Sequence, residues 1–243
     1  MLFLDYIAND KLNPIIVDKI VEGMTRACKE TGVSLVGGET AEMPDTYLPG
    51  EHDLVGVITG IVDKDKIITG KNISPGDVLV GLPSNGLHTN GYSLARKIFF
   101  KDMEYSVDTY LEGLNNTVGA ALLEPHINYT NHVFKLLNDK INIKGIAHIT
   151  GGGLTENIPR ILPNGCSVKI QKGTWPSLPI FDTLKDLGNV EEEEMYQAFN
   201  MGIGMVFIVD SDSVDSIEKA LKNITNIYTI GKVIEGENIV HYN

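Results

Sequence analysis

Residues Val36–Tyr47 read VGGETAEMPDTY. The short, largely apolar run Val33–Val36 ends in two glycines, and Glu39, Glu42, a proline and Asp45 follow at once. An ordinary turn has no need of so many acids. A magnesium ion that arrives bound to nucleotide uses one or two carboxylates beside phosphate oxygens and water, so a glutamate next to two glycines is chemically suited to it. In an extended strand Glu39 and Glu42 face opposite sides, because an offset of three breaks the period of two, and only a turn brings both to one ion. The other reading is that these acids cap or pair locally.

Composition sets the limits around this stretch. A chain of 243 residues, 42% hydrophobic and 7% aromatic, is long enough for one large or two smaller globular domains with a sizeable core. The formal net charge of −12 argues against a nucleic-acid partner, which calls for a basic face to neutralise phosphates. A small anionic ligand remains compatible with it if backbone N–H groups, glycines and a metal build the site. Two cysteines, Cys28 and Cys166, far apart and outside any C-x-x-C spacing, point to neither a disulfide framework nor a zinc site and fit a reducing, cytoplasmic setting. The N-terminal MLFLDYIAND lacks a basic lead and carries Asp5 within its short apolar run, unlike a signal peptide. No apolar stretch approaches membrane-spanning length.

Along the chain, strand patterns alternate with helical ones. Leu2–Ala8 reads as a strand; Asn13 and Pro14 supply an N-cap and first helical position; Ile15, Ile16, Ile20, Met24, Ala27 and Cys28 follow at helical spacing, and Gly32 closes the helix. Val33–Gly37 and Leu54–Val62 are further apolar runs, and Val62–Asp77 reads as a connector, which sets domains at 1–64 and 65–243. Beyond it the pattern predicts strands Val78–Leu82, Ile203–Val209 and Tyr228–Val233, and helices from Tyr92, near Tyr129–Leu137, from Leu154 and over Val214–Leu221. The second unit is thus a mixed α/β domain. The first is marginal in size and begins in an apolar strand, so something outside these residues is expected to cover it.

Two glycine-rich stretches carry the next signals. LPSNGLHTNGYSLARKI, Leu82–Ile98, runs from a strand end through a loop with His88, Asn90 and Gly91 into a helix, the usual place for a ligand in an α/β sheet. The plain alternative for His88 is a loop histidine bonded to nearby backbone. HITGGGLTENIPRILP, His148–Pro163, sets three glycines before a helix, where bare N–H groups and the helix dipole favour an anion. Its alternative is a tight turn needing positive φ. Neither stretch is a Walker loop or a G-x-G-x-x-G fingerprint.

Taken in order, FLDYIA (Phe3–Ala8), LVGGETAEMP (Leu35–Pro44), LPSNGLHTNGYSLARK (Leu82–Lys97), HITGGGLTENIPRILP and GNVEEEEMYQAFNMGIGMV (Gly188–Val206) resemble the phosphoribosylformylglycinamidine cyclo-ligase (aminoimidazole ribonucleotide synthetase) family over essentially the whole chain. The resemblance implies an α/β fold of the α+β type, a two-domain synthetase fold in which the N-terminal domains of a homodimer join their strands into a shared barrel. It implies ATP-dependent ring closure of formylglycinamidine ribonucleotide with magnesium, in purine biosynthesis. It places Glu39, with Glu42 in support, at magnesium, and Gly37, Gly38, Glu39 and Thr40 at nucleotide. His88 and Asn90 orient substrate or move a proton, and His148, Thr150, Gly151, Gly152 and Gly153 take the ribose phosphate. The family's Asp-Gly-Val-Gly-Thr-Lys segment has no counterpart here, which leaves the N-terminal barrel domain truncated and implies that these residues do not turn over substrate unaided. Asp45 stands where the family has glycine, and EPHINY, Glu124–Tyr129, where it has Pro-Thr-Arg-Ile-Tyr, with loss of that arginine. The readings weighed against this one are another ATP-dependent enzyme of the same superfamily and a non-catalytic fragment acting as a dimerisation or interaction module.

Overall fold

Local rules act visibly at the first helix. Asn13 is extended and its side chain accepts the Ile15 N–H at 3.0 Å, with Pro14 next; a cap of this kind stabilises a helix by about 1 kcal/mol. Helix α1, Pro14–Thr31, ends at Gly32, which at φ 66 turns its N–H back to the carbonyls of Cys28 and Lys29. The computed structural model describes residues 1–243, which fall into two compact units, Met1–Ile67 and Ile68–Asn243.

In the first unit, α1 links two parallel neighbours, β1 (Leu2–Asn9) and β2 (Ser34–Glu42), and β3 (His52–Thr59) pairs antiparallel with the other edge of β1. Strand β2 runs on through the glycine pair to Glu42, past the expected end at Gly37, because β1 offers ladder partners as far as Asn9. The register shifts once, between Phe3 and Leu4, and is regular from Gly37 onward. Three strands and one helix make a thin layer. Ile7, Ala8, Cys28 and Val33 are its buried apolar residues, whereas Ile15, Leu54, Val57 and Ile58 are exposed, Ile15 at 75%. The helical spacing of Ile15 to Cys28 therefore predicts the helix correctly but not its burial: of that set only Cys28 is covered.

The second unit is built on a six-stranded sheet in the order β11-β8-β10-β4-β9-β7. Its strands are β4 (Val78–Pro83), β7 (Ile143–His148), β8 (Cys166–Ile170), β9 (Ile203–Val209), β10 (Tyr228–Glu235) and β11 (Val240–Tyr242); β5 (Tyr110–Leu111) and β6 (Asn116–Thr117) form a separate small hairpin. All neighbours are antiparallel except β11 and β8. Every residue of β9 is buried. Val206 and Ile208 point to one face, with Leu154 from α5 (Gly153–Asn157) and Ile158 just past its end. Met205, Phe207 and Val209 point to the other, where α4 (Thr130–Asn138) contributes Leu136 and α8 (Val214–Leu221) contributes Ile217 and Leu221. A third cluster gathers Ile98, Phe99, Phe181 and Phe199 from the segment opened by α2 (Tyr92–Arg96), from α6 (Pro179–Gly188) and from the end of α7 (Glu192–Ala198), with Val118 of α3 (Val118–Leu122). The acidic run Glu191–Glu194 is the solvated start of α7.

Of the elements that escape the sequence pattern, three show why. Strand β7, IKGIAH, carries a lysine and a glycine; β8, CSVKI, is five residues long; and the apolar stripe of α6 is interrupted by Asp182, Lys185 and Asp186. Pairing with β9 and β10 makes strands of the first two, an effect no local window contains.

Asp45, where the family resemblance places glycine, sits at φ 68, in the left-handed region. A side chain there costs on the order of 1 kcal/mol, somewhat less for aspartate. Asp45→Gly is therefore expected to slow hydrogen exchange of the β2 amides about fivefold, the factor that corresponds to that energy. Unchanged exchange would show that the turn carries no strain.

Candidate active site

The loop after β4 is fixed by one buried amide. Asn200, 1% exposed, accepts the Ser84 hydroxyl at 2.7 Å and the Gly202 N–H at 2.9 Å through Oδ1, and donates Nδ2 to the Gly86 carbonyl at 2.8 Å. The strand end and the turn before β9 are thereby tied together. Held at this end, the loop takes two consecutive side-chain-bearing residues into the left-handed region, His88 at φ 52 and Thr89 at φ 61. Asn90 Nδ2 clamps the bend by donating to the His88 carbonyl at 2.7 Å. Such strain persists where surrounding structure over-determines it, and ligand sites are where it collects. Gly91 follows at φ 75, where a Cβ would run into the Phe199 ring.

His88 lies inside the unit. Its Nε2 is 2.5 Å from Asn85 Oδ1, and the Asn85 side chain is itself anchored by donating to Glu124 Oε1 at 3.0 Å and to the Pro125 carbonyl at 2.9 Å. The His126 ring stacks on His88 with centroids 4.0 Å apart, and His126 Nε2 meets His148 Nε2 at 3.0 Å. Tyr129 closes the group: its hydroxyl donates to the Pro83 carbonyl at 2.7 Å and its ring lies about equally far from all three imidazoles, 6.0 to 6.4 Å. Burial and then the neighbouring imidazoles push the His88 pKa down to about 3. His126, by burial and then by the charge of His148, and His148, by burial, are also held below the ordinary value. Shut away from water, the His88 ring is uncharged at pH 7 and orients neighbours as a neutral hydrogen-bonding group.

The glycine stretch His148–Gly153 joins this group, since a Cβ on Gly151 would lie 3.5 Å from Asn90 Oδ1. Buried Asn157 donates Nδ2 to the carbonyls of Thr150, Gly151 and Gly153, at 3.3, 3.1 and 2.8 Å, and accepts the Thr150 hydroxyl at 3.0 Å. With the carbonyls drawn inward, the N–H groups of Gly151 and Gly152 find no acceptor in the chain, and Gly151 is exposed. The three glycines have different reasons. Gly152 (φ 91) and Gly153 (φ 58) are demanded by backbone conformation and by contacts with Glu156 and with the Tyr196 carbonyl, whereas Gly151 has ordinary φ and a Cβ there would make only ordinary contact with Asn90. Helix α5 spans only five residues, so the bare amides and not a long helix dipole supply the field here.

In the first unit, continuous pairing of β2 puts Glu39 opposite Tyr6 and Glu42 opposite Asn9, on opposite faces of the sheet. The expected pair on one ion is not assembled: the required turn is absent, and Glu42 Oε2 instead accepts the Leu12 N–H at 2.9 Å, next to the cap of α1. No group of three or more His, Cys, Asp or Glu side chains is placed to hold a metal. Glu39 and Thr40 are exposed, and Gly38 is required by packing, since a Cβ would strike Asp5. Gly37 also lies in β2, where the register becomes regular.

Sequence reasoning assembled His88, Asn90, His148 and Gly151 by motif, and the structure brings them together. It missed His126, Asn85, Tyr129, Asn157 and Asn200. EPHINY drew notice for the arginine it lacks, and the histidine it gains was the available signal.

Solved structures share this architecture. E. coli HypE, a hydrogenase maturation protein, superposes with a TM-score of 0.71 at 16% identity, over 99% of this chain and 69% of that one. Thiamine-monophosphate kinase from Stenotrophomonas maltophilia gives 0.72 at 13%, over 100% and 71%. These define the class, a mixed α/β fold of two units. The particular family follows from the sequence: residues 1–62 and 74–242 match the N-terminal and C-terminal domains of AIR synthase related proteins. Proteins named phosphoribosylformylglycinamidine cyclo-ligase are 48% identical over 240 residues in Geobacillus thermodenitrificans (98% of this chain, 69% of the relative) and 44% over 241 in Alkaliphilus metalliredigens (99% and 69%). The chain belongs to the AIR synthase related family, among its phosphoribosylformylglycinamidine cyclo-ligases.

Because folding lowers the His88 pKa from 6.5 to about 3, the unfolded chain binds more protons between those values. Stability then rises with pH across that window and is lost as pH falls through it, by at most about 1.4 kcal/mol per unit. His88→Gln is expected to flatten the slope of unfolding free energy between pH 4 and 6.5. A slope equal to wild type would assign it to other groups.

Proposed function

We propose that this chain serves the ATP-dependent closure of formylglycinamidine ribonucleotide to aminoimidazole ribonucleotide, a ligase step of purine biosynthesis. One observation in the second unit carries the reading beyond family membership: two unpaired N–H groups, at Gly151 and Gly152, beside Asn90 and the imidazole group, form a place for the ribose phosphate. An amide oxygen is a poor leaving group. Transfer of the ATP γ-phosphoryl group to the formyl oxygen makes it a good one; the amidine nitrogen then attacks the formyl carbon and inorganic phosphate departs. Such chemistry is mostly positioning and charge neutralisation, which suits a strained loop locked by Asn200 and Asn85.

His148, Thr150 and Gly151–Gly153 hold the phosphate end of the substrate. Asn90 and neutral His88 orient the reacting groups, His88 through Asn85 and the stacked His126. Gly37, Gly38, Glu39 and Thr40 face the nucleotide. The exposed Glu39 supplies one carboxylate for magnesium. A lone carboxylate without a caging cluster fits an ion whose other ligands are triphosphate oxygens and water. When bound, that ion neutralises charge on the transferred phosphoryl group. No helix is long and apolar enough to cross a membrane, and we place the enzyme in the cytoplasm. The uncovered β1–β3 layer joins a second copy in a homodimer. Lysine at Val57 and Ile58 together is expected to shift sedimentation toward the monomer; an unchanged distribution would remove that layer from the interface.

Two measurements test the site. Gly151→Val, at the glycine free to change without clash, is expected to weaken binding of the ribonucleotide at least tenfold by calorimetry while circular dichroism stays unchanged; wild-type affinity would return the loop to a plain turn. His88→Ala in the catalytically competent enzyme is expected to lower turnover by roughly 10²- to 10⁴-fold, the scale of a positioned acid–base or orienting group. ATP affinity should be retained. Wild-type turnover would make His88 structural.

A further inference from the structure

The segments 84–91, 124–132 and 148–153 contain four histidines and neither lysine nor arginine. Among the cations near these segments in sequence, Lys135 pairs with Asp139, Lys144 with Asp77 and Asp210, and the Arg160 guanidinium donates to Asn157 Oδ1 at 3.2 Å and lies 3.8 Å from the Glu156 carboxylate. A phosphate monoester brings nearly two negative charges at neutral pH, and two backbone N–H groups answer only part of that. The missing charge has one local source.

The direction of the His126–His148 bond identifies it. The Thr89 hydroxyl donates to the His88 carbonyl at 2.6 Å, so toward His126 Nδ1, 3.5 Å away, it is an acceptor. Taken as a hydrogen bond, that contact puts the His126 proton on Nδ1, so that its Nε2 accepts the Nε2–H of His148 at 3.0 Å. The basic nitrogen left over is Nδ1 of His148, an exposed residue three positions before Gly151. This is the arrangement in which a second group fixes the tautomer and orientation of an imidazole and steadies its cation.

Resting on the ribose-phosphate reading above, we propose that His126 is a positioning residue that makes His148 a proton-taking phosphate ligand. When the phosphate settles on the Gly151 and Gly152 amides, His148 Nδ1 takes one proton from solvent, and His126 holds the resulting imidazolium in place through its Nε2 lone pair. The surroundings favour this response. His88 and Thr89 face the pair from the loop after β4, and Tyr129 faces it from the approach to α4, with His132 behind. Glu124 is held by Asn85, and Glu156 lies near Arg160. No carboxylate bonds either imidazole, so the free pair is neutral at pH 7, and burial keeps both rings below their ordinary pKa.

Calorimetric titration with formylglycinamidine ribonucleotide in Hepes and in Tris, from pH 7 to 8.5, reads the proton directly. The expected result is uptake approaching one proton per ligand and an affinity that falls as pH rises, by up to about tenfold per unit. In His126→Asn the uptake is lost and affinity at pH 7 drops about tenfold. His148→Lys, which supplies a fixed cation, binds without proton uptake and with little pH dependence, and decides the matter even if His126→Asn fails to fold. Binding by wild type without uptake, or full uptake in His126→Asn, overturns the proposal while leaving the phosphate loop in place. If Gly151→Val binds as wild type does, the phosphate reading falls and the proposal with it.

Discussion

The second unit depends on a single buried amide. Asn200 meets Ser84, Gly86 and Gly202 from its one side chain, so the exit of β4 and the entry of β9 cannot move independently. A buried amide left unpaired costs on the order of 1–3 kcal/mol, and here its donor and acceptor are both engaged within the loops they join. From that tie follow the strained turn at His88 and Thr89, the reach of Asn90 toward Gly151, and the stacking of His88 on His126.

Asn157 does the same for the glycine stretch. It gathers three carbonyls and so turns the Gly151 and Gly152 amides outward. Two asparagines thus organise a site in which neither is a reacting group. Both sit close to the glycines that draw attention first, which explains why a reading by residue chemistry passes over them: an asparagine in a loop has many ordinary uses.

The two units differ in how far they satisfy themselves. The six-stranded sheet is covered on both faces, with alternate residues of β9 feeding separate clusters. The three-stranded layer buries four apolar side chains and leaves β3 without a buried residue. The same apolar patterning therefore reports a completed core in one unit and an open surface in the other. Its periodicity records which face seeks cover, not whether cover is present.

The sequence by itself determined the helix α1 with its Asn13 cap and Gly32 stop, the apolar strands β1, β4 and β9, the family, and the motif residues His88, Asn90, His148 and Gly151, because each is written in contiguous residues. Only the tertiary structure decided that β2 continues through the glycine pair and separates Glu39 from Glu42, since that turns on the ladder β1 provides. It also decided the charge state of His88, which depends on burial, and the company of His126, whose partners come from segments 37 and 22 positions away. Desolvation and long-range hydrogen bonds belong to the packed chain, and no window of sequence contains them.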